Sequence, residues 1–245
     1  MGGICIRKYG MKIRFHGTCA CRLGKGRDYP AISVEVDGKI YLMDVGAAIV
    51  ESLTDLDKNP ADIRAIFVSD GEYARIAGLL ATVDFISRSA RVTRYSHASV
   101  DVYLPSSDLA DAICAFYHEA NIDENRVRLH AFFSSVSYSD ENLKIEAIRA
   151  ESLNDSYGFL LRAEGKCILF AGALSRAREL PKLTAVVKEV KPDILVIEEY
   201  NADVEAAVSE LGESLPRAIY LTRIGDKAKK YAKTVPVTDG VVIEV

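Results

Sequence analysis

A strand, a charged turn and a helix follow one another between residues 66 and 83, and this segment constrains the fold more than any other. The run FVSDGEYARIAGLL occupies positions 67–80. Its apolar beginning, residues 66–68, is typical of a buried strand, and the apolar positions 76, 79, 80 and 83 fall on one face of a helix. The segment therefore predicts a strand that leads directly into a polar turn at residues 69–75.

The rest of the chain alternates strand-rich stretches with helices, and its second half repeats the plan of the first. Asp37-Gly38-Lys39 and Glu164-Gly165-Lys166 are typical of hairpin turns between paired strands. Periodicity alone predicts an α/β or α+β chain. Strands are predicted at 11–15, 31–36, 40–44, 63–68, 143–148, 157–163, 167–171, 194–197, 218–221 and near 243, and helices at 47–56, from 76, and at 107–120, 176–190 and 202–211.

Composition narrows the class of protein. The chain has 245 residues and a formal net charge of -4, and its 31 basic residues are not gathered into runs that would indicate nucleic-acid binding. No apolar run reaches the roughly 18 residues of a membrane span, and residues 1–6 lack the apolar core of a signal peptide. Five scattered cysteines favour a reducing compartment. We therefore expect one soluble, cytoplasmic domain with no nucleic-acid or membrane partner.

The segment at 67–80 resembles the T-H-x-H-x-D-H metal signature of the metallo-β-lactamase superfamily. The run MKIRFHGTC at 11–19 resembles that family's first strand, which ends in G-T-G, with Cys19 in place of the last glycine. The resemblance covers residues 11–245, is nearest to the RNase Z-like branch, and makes residues 1–10 an extension or a start-site artefact. It implies a four-layer αββα sandwich of two mixed β-sheets flanked by helices, in a family that often forms homodimers.

The metal ligands implied by this resemblance are replaced in the central motif. Asp70 and Glu72 stand where the first two histidines would be. Ala74 replaces the aspartate and Arg75 the third histidine. Of the turn that precedes this motif, Asp44 is retained.

The remaining ligand positions are also changed. Residues 149–159 contain no histidine, Ala173 stands in place of the bridging aspartate, and Arg223 stands in place of the last histidine. The family's mechanism needs two metal ions that activate a bridging water. We therefore expect neither zinc nor another metal cofactor, and the sequence favours a pseudoenzyme that acts as a binding or partner subunit.

Two hypotheses concern the arginines. Because a guanidinium stays protonated and offers no lone pair, Arg75 and Arg223 would replace the metal ions with positive charge. With Asp44, Asp70 and Glu72 they would form an internal ion-pair cluster. Alternatively, Arg75 and Arg223 would clamp an anionic small molecule in the former metal-site cleft.

Other interpretations of the same residues remain open. Ser69 and Glu72 fit a helix capping box without any site. Asp70 and Glu72 could bind Mg²⁺ or Mn²⁺, and a carboxylate site built with Asp44 would make the chain a metal-dependent phosphodiesterase or esterase.

Two further groups of residues could lie near this motif in the folded chain. The thiols of Cys19 and Cys21 would be reactive if they lay near the guanidiniums. Glu198 and Glu199 follow a predicted strand, where the family usually has a structural acidic turn, and adjacent strand residues point to opposite faces.

Overall fold

The computed structural model describes residues 10–20, 26–92, 99–120, 122, 126–132, 137–153, 155–225 and 230–245. The predicted extension, residues 1–10, lies outside this part except for Gly10. The strands are β1 Lys12–Gly17, β2 Ala31–Val36, β3 Lys39–Met43, β4 Ile63–Phe67, β5 Val100–Leu104, β6 Val127–Ala131, β7 Ser137–Ser139, β8 Lys144–Arg149, β9 Tyr157–Ala163, β10 Lys166–Phe170, β11 Ile194–Glu198, β12 Ala218–Thr222, β13 Val235–Pro236 and β14 Val242–Glu244.

The strands form two mixed sheets of the same design. The first has the order β14-β1-β2-β3-β4-β5-β6 and the second β13-β12-β11-β10-β9-β8-β7. In each sheet a hairpin joins the antiparallel strands to a parallel set, β3 to β6 in the first and β10 to β13 in the second. Both predicted turns are present, since Asp37-Gly38 and Glu164-Gly165 have positive φ angles that suit a tight hairpin.

Helices cover the outer faces of the sheets. They are α1 Ile49–Asp55, α2 Tyr73–Ile76, α3 Leu79–Val92, α4 Ser107–Glu119, α5 Leu180–Val190 and α6 Val204–Leu211. One apolar core lies between the two sheets and includes Phe67 and Phe159. A second joins α1, α3 and α4 to the first sheet, and a third joins α5 and α6 to the second sheet. This is the predicted αββα sandwich.

Several predicted boundaries need correction. β5, β6, β7 and β13 were not predicted, because they span only two to five residues and each contains a charged, hydroxyl or proline residue that interrupts an apolar run. The helix predicted at 176–190 begins at Leu180, because 3₁₀ turns at Gly172–Ser175 and Ala177–Glu179 precede it. None of the described helices combines the length and apolar character that a membrane crossing requires.

The backbone around Tyr29, in the loop before β2, packs closely against two glycines. The carbonyl of Tyr29 passes so close to Gly17 and Gly46 that a Cβ on either glycine would lie 1.8 Å or 2.2 Å from its oxygen. Cys19 donates its backbone N–H to the Asp28 carbonyl at 2.8 Å, which fixes the same segment. Glycine at positions 17 and 46 therefore lets this loop lie flat against the sheet beside the carboxyl ends of the strands.

Candidate functional site

The carboxyl ends of β3, β4, β11 and β12 meet at one edge of the sandwich. Asp44 follows β3, Asp70 follows β4, Glu198 ends β11, and Arg223 follows β12. Open sheets with parallel strands usually place their sites at this edge. Buried charged side chains converge here from four different strands.

Arg75, on the short helix α2, lies at the centre of these charges. Its side chain is 1% exposed. Nη1 and Nη2 donate to the two oxygens of Glu198 at 2.6 Å and 2.7 Å, and Nη1 also donates to Asp44 Oδ2 at 2.7 Å. Nε forms an ion pair with Asp70 Oδ1 at 2.9 Å, although the angle is not that of a hydrogen bond. Three carboxylates thus surround one guanidinium.

Arg223 forms a second paired contact next to it. Its Nη1 and Nη2 donate to Glu72 at 2.8 Å and 3.1 Å, and Nη1 lies 3.5 Å from Glu198 Oε2. Nη2 also donates to the carbonyl of Ala20 at 2.8 Å. The backbone of Arg223 has φ 49°, a left-handed conformation that costs a non-glycine residue about 1 kcal/mol or more. The contacts of the guanidinium hold the residue in that conformation.

We call Asp44, Asp70, Glu72, Arg75, Glu198 and Arg223 the ion-pair cluster. Its four carboxylates outnumber its two guanidiniums, and Arg176 reaches Asp70 Oδ2 from the rim at 3.3 Å.

Burial and neighbouring charges shift the pKa values of the residues in the cluster in opposite directions. Burial raises the pKa of Asp44 to about 6, although Arg75 and the Ser69 amide favour its ionised form. Ser69 donates to this carboxylate from both its N–H, at 2.8 Å, and its hydroxyl, at 2.9 Å. Burial opposes the charge of both arginines. The carboxylates of Glu198, Asp44 and Asp70 nevertheless raise the pKa of Arg75 well above its usual value, and Glu198 and Glu72 raise that of Arg223.

The five charged residues named from the sequence lie together, and the sixth member, Glu198, was missed. Glu198 contacts both arginines and is the main partner of Arg75. One signal could have indicated it: an acidic residue that ends the apolar run ILVI must be buried with the strand, and a buried carboxylate needs a cation.

Several sequence interpretations need correction. Ser69 and Glu72 do not form a capping box, because the Ser69 hydroxyl bonds to Asp44 and the Glu72 N–H donates to Asp70 instead. Arg75 and Arg223 are not available as an anion clamp, because both are buried and already paired with carboxylates.

The two alanines and the cysteines contribute no charge. Ala74 is buried beside Arg75, and Ala173 packs in the apolar core between the second sheet and α5. Cys19 is buried, with its backbone bridged to Ile224. Cys21 lies outside the described residues.

The cluster does not fit the metal centre that the fold family implies. Two guanidiniums lie among its carboxylates, and a guanidinium cannot act as a metal ligand. Within the described ranges no three His, Cys, Asp or Glu side chains are grouped as metal ligands would be. His16 bonds to Ser33 and Ser52, and His130 bonds to Asp101, both away from the cluster. His97 is outside the described part of the chain.

An open cleft of about 630 Å³ lies beside the cluster. Asp70 and Glu72 belong to both. The rest of the cleft lining is formed by residues 71, 105–106, 155–156 and 176–178.

Comparison with solved structures identifies the fold. The human tRNase Z, short form, superposes with a TM-score of 0.69 at 17% identity over 95% of this chain and 98% of that one. The metallo-β-lactamase fold protein YhfI from Bacillus subtilis superposes with a TM-score of 0.71 at 12% identity, over 96% and 100% of the two chains. A diphosphatase from the PhnP family gives 0.67 at 18% identity, over 96% and 98%. The chain therefore has the metallo-β-lactamase fold.

Sequence relatives point to one branch of that fold. The chain is 29% identical over 139 residues to the ribonuclease Z of Microcystis aeruginosa, a match of 55% of this chain and 42% of that protein. It is 35% identical over 88 residues to the ribonuclease Z of Methanococcus maripaludis, or 35% and 28% of the two chains. The chain thus spans less than half of these relatives. No protein-family model matches it. The resemblance to the RNase Z-like branch is confirmed.

Proposed function

We propose that this chain is a metallo-β-lactamase-fold protein that has lost the dinuclear metal site and acts as a non-catalytic binding or partner subunit. One observation carries the proposal: the guanidinium of Arg75 lies among Asp44, Asp70 and Glu198 and forms ion pairs with all three. A divalent ion at the same carboxylates would meet this fixed positive charge.

The substitutions act together rather than singly. Arg75 and Arg223 stand at two former histidine positions, and each is paired with carboxylates at 2.6–2.8 Å. Ala173, at the position of the bridging aspartate, is packed in the core. Restoring one ligand would therefore leave the other positions occupied by cations or apolar groups.

The cleft beside the cluster gives this fold a place to bind a small molecule. Its size falls in the range of about 300–1,000 Å³ that small-molecule sites occupy. Because Arg75 and Arg223 are used internally, an anionic ligand would be held by Arg176 and Arg178, which line the cleft.

A hydrolase assay tests the loss of the metal site. Wild-type protein would be incubated with bis(4-nitrophenyl) phosphate in the presence of Mn²⁺ or Zn²⁺, and we expect no metal-dependent hydrolysis. The alternative, a hydrolase with a carboxylate site at Asp44, Asp70 and Glu72, predicts activity that Asp70→Ala removes. Asp84→Ala is the control, because Asp84 pairs with Arg88 on the exposed face of α3, away from the cluster. Metal-dependent activity that survives in Asp84→Ala and disappears in Asp70→Ala would contradict the proposal.

A further inference from the structure

The lining of the cleft beside the ion-pair cluster carries both signs of charge. Arg176 and Arg178 contribute guanidiniums, while Glu72 and Asp155 contribute carboxylates from two other segments. Asp70 also lines the cleft and is already paired with Arg75 and Arg176.

The two cleft arginines have donors that the protein does not use. Arg178 is exposed and makes no hydrogen bond or ion pair with any residue in the described part of the chain. Arg176 makes one contact with a described side chain, from Nη2 to Asp70 Oδ2 at 3.3 Å. Its side chain is 30% exposed. Planar guanidiniums with open donors suit a carboxylate or phosphate group.

The two cleft carboxylates are open to a cation. The Glu72 side chain is 42% exposed, although its oxygens also accept from Arg223. The Asp155 side chain is 53% exposed, and its contact with Arg149 is long, at 3.8 Å. Each carboxylate oxygen has two lone pairs, so both groups keep acceptors for an ammonium group.

We propose that this cleft binds a zwitterionic small molecule, with Arg176 and Arg178 holding its carboxylate or phosphate and Glu72 and Asp155 holding its ammonium group. The inference rests on the proposed non-catalytic binding function and names its ligand class. A simple anion would be attracted by the arginines but repelled by Glu72 and Asp155. A simple amine would be attracted by these carboxylates but repelled by the arginines. A molecule that carries both charges pairs with the arginines through its anionic group and with the carboxylates through its ammonium group.

Matched probes separate these ligand classes by isothermal titration calorimetry on the full chain. The zwitterions are β-alanine, γ-aminobutyrate and 5-aminopentanoate, and each is compared with the carboxylic acid and the amine of the same chain length. We expect at least one zwitterion to bind saturably and about tenfold or more tighter than both of its single-charge analogues. Arg178→Ala should weaken that binding about tenfold, whereas Arg88→Ala, an exposed arginine away from the cleft, should leave it unchanged.

Two results would overturn the inference. Equal affinity for a carboxylic acid and its zwitterion would show that the carboxylates take no part, while the proposed binding function would stand. No saturable binding of any zwitterion would exclude this ligand class at the cleft. Neither result bears on the metal-dependent hydrolase assay, so failure of the ligand class and failure of the proposed metal loss are distinguishable.

Discussion

Arg75 is the residue on which the ion-pair cluster depends. A buried ion pair adds little stability compared with apolar packing, but removal of one partner leaves the others charged and unpaired. Because Arg75 contacts Asp44, Asp70 and Glu198, its loss would leave three buried carboxylates without this cation, which costs free energy.

Replacement of this guanidinium should therefore be costly. We expect Arg75→Met to lower the free energy of unfolding by about 3–5 kcal/mol, measured by urea denaturation. Arg88→Met is the matched control, since its pair with Asp84 lies on the exposed face of one helix and its loss should leave the free energy of unfolding nearly unchanged. Equal stability of Arg75→Met and wild type would mean that the cluster does not depend on this charge.

The protonation of Asp44 gives the cluster a pH dependence. Its folded pKa of about 6 lies above the value of about 3.9 in an unfolded chain, so the folded state binds the proton more tightly. The contribution of this proton to the free energy of unfolding is fully present below about pH 4 and is lost as the pH rises through about 6.

Comparison with Asp44→Asn isolates that effect. The difference in unfolding free energy, wild type minus variant, should fall by about 2 kcal/mol between pH 4 and pH 7. His16 acts with the opposite sign in the same range, because burial lowers its pKa to about 4, but both proteins share it. A difference that is flat with pH, or rises, would contradict the account.

Single residues were predictable where a local motif fixed their position. Asp70, Glu72, Arg75 and Arg223 could be placed together because the resemblance gives a common site for their positions. Glu198 could not, because its role depends on β11 ending beside the loop after β4, a contact between residues 123 apart in the chain. The local pattern indicates a buried carboxylate at this position but does not identify the cation that pairs with it.

At the scale of elements, the loop before β2 is fixed by glycine. Gly17→Ala would put a Cβ 1.8 Å from the Tyr29 carbonyl oxygen, a backbone atom that cannot move without shifting the loop. We expect a loss of about 3 kcal/mol or more in the free energy of unfolding, measured by urea denaturation.

Gly10→Ala is the control for that substitution. Among the described residues, chain neighbours aside, no atom lies within 4 Å of the added Cβ at this position, and we expect a change of less than about 1 kcal/mol. Similar stability of the two variants would show that the close approach at Gly17 is relaxed at little cost.

Elements with strong local signals were predicted, and weak ones were not. The hairpin turns and the apolar strands β2, β4, β9 and β11 follow from turn residues and buried runs. β6, with the sequence VRLHA, lies at the edge of its sheet, and its apolar and polar residues alternate over only five positions, so its pairing with β5 identifies it as a strand more clearly than its own pattern does.

At the scale of the whole molecule, the two sheets repeat one design and bring their parallel strands to a common edge. Periodicity predicted only an α/β or α+β chain, because it does not specify how sheets pack. The sandwich came from the resemblance, and the fold confirms it. At that edge Arg75 and Arg223 lie among four carboxylates, at positions where the resemblance implies metal ligands.

Metal content tests the central claim most directly. The purified protein would be analysed for metals as isolated, and again after incubation with Zn²⁺ or Mn²⁺ and removal of the excess. The account predicts a metal-to-protein ratio near zero in every sample, because Arg75 and Arg223 place fixed positive charge among the carboxylates. A ratio of about one or two, abolished by Asp70→Ala and retained in Asp84→Ala, would contradict it and indicate a rebuilt metal site.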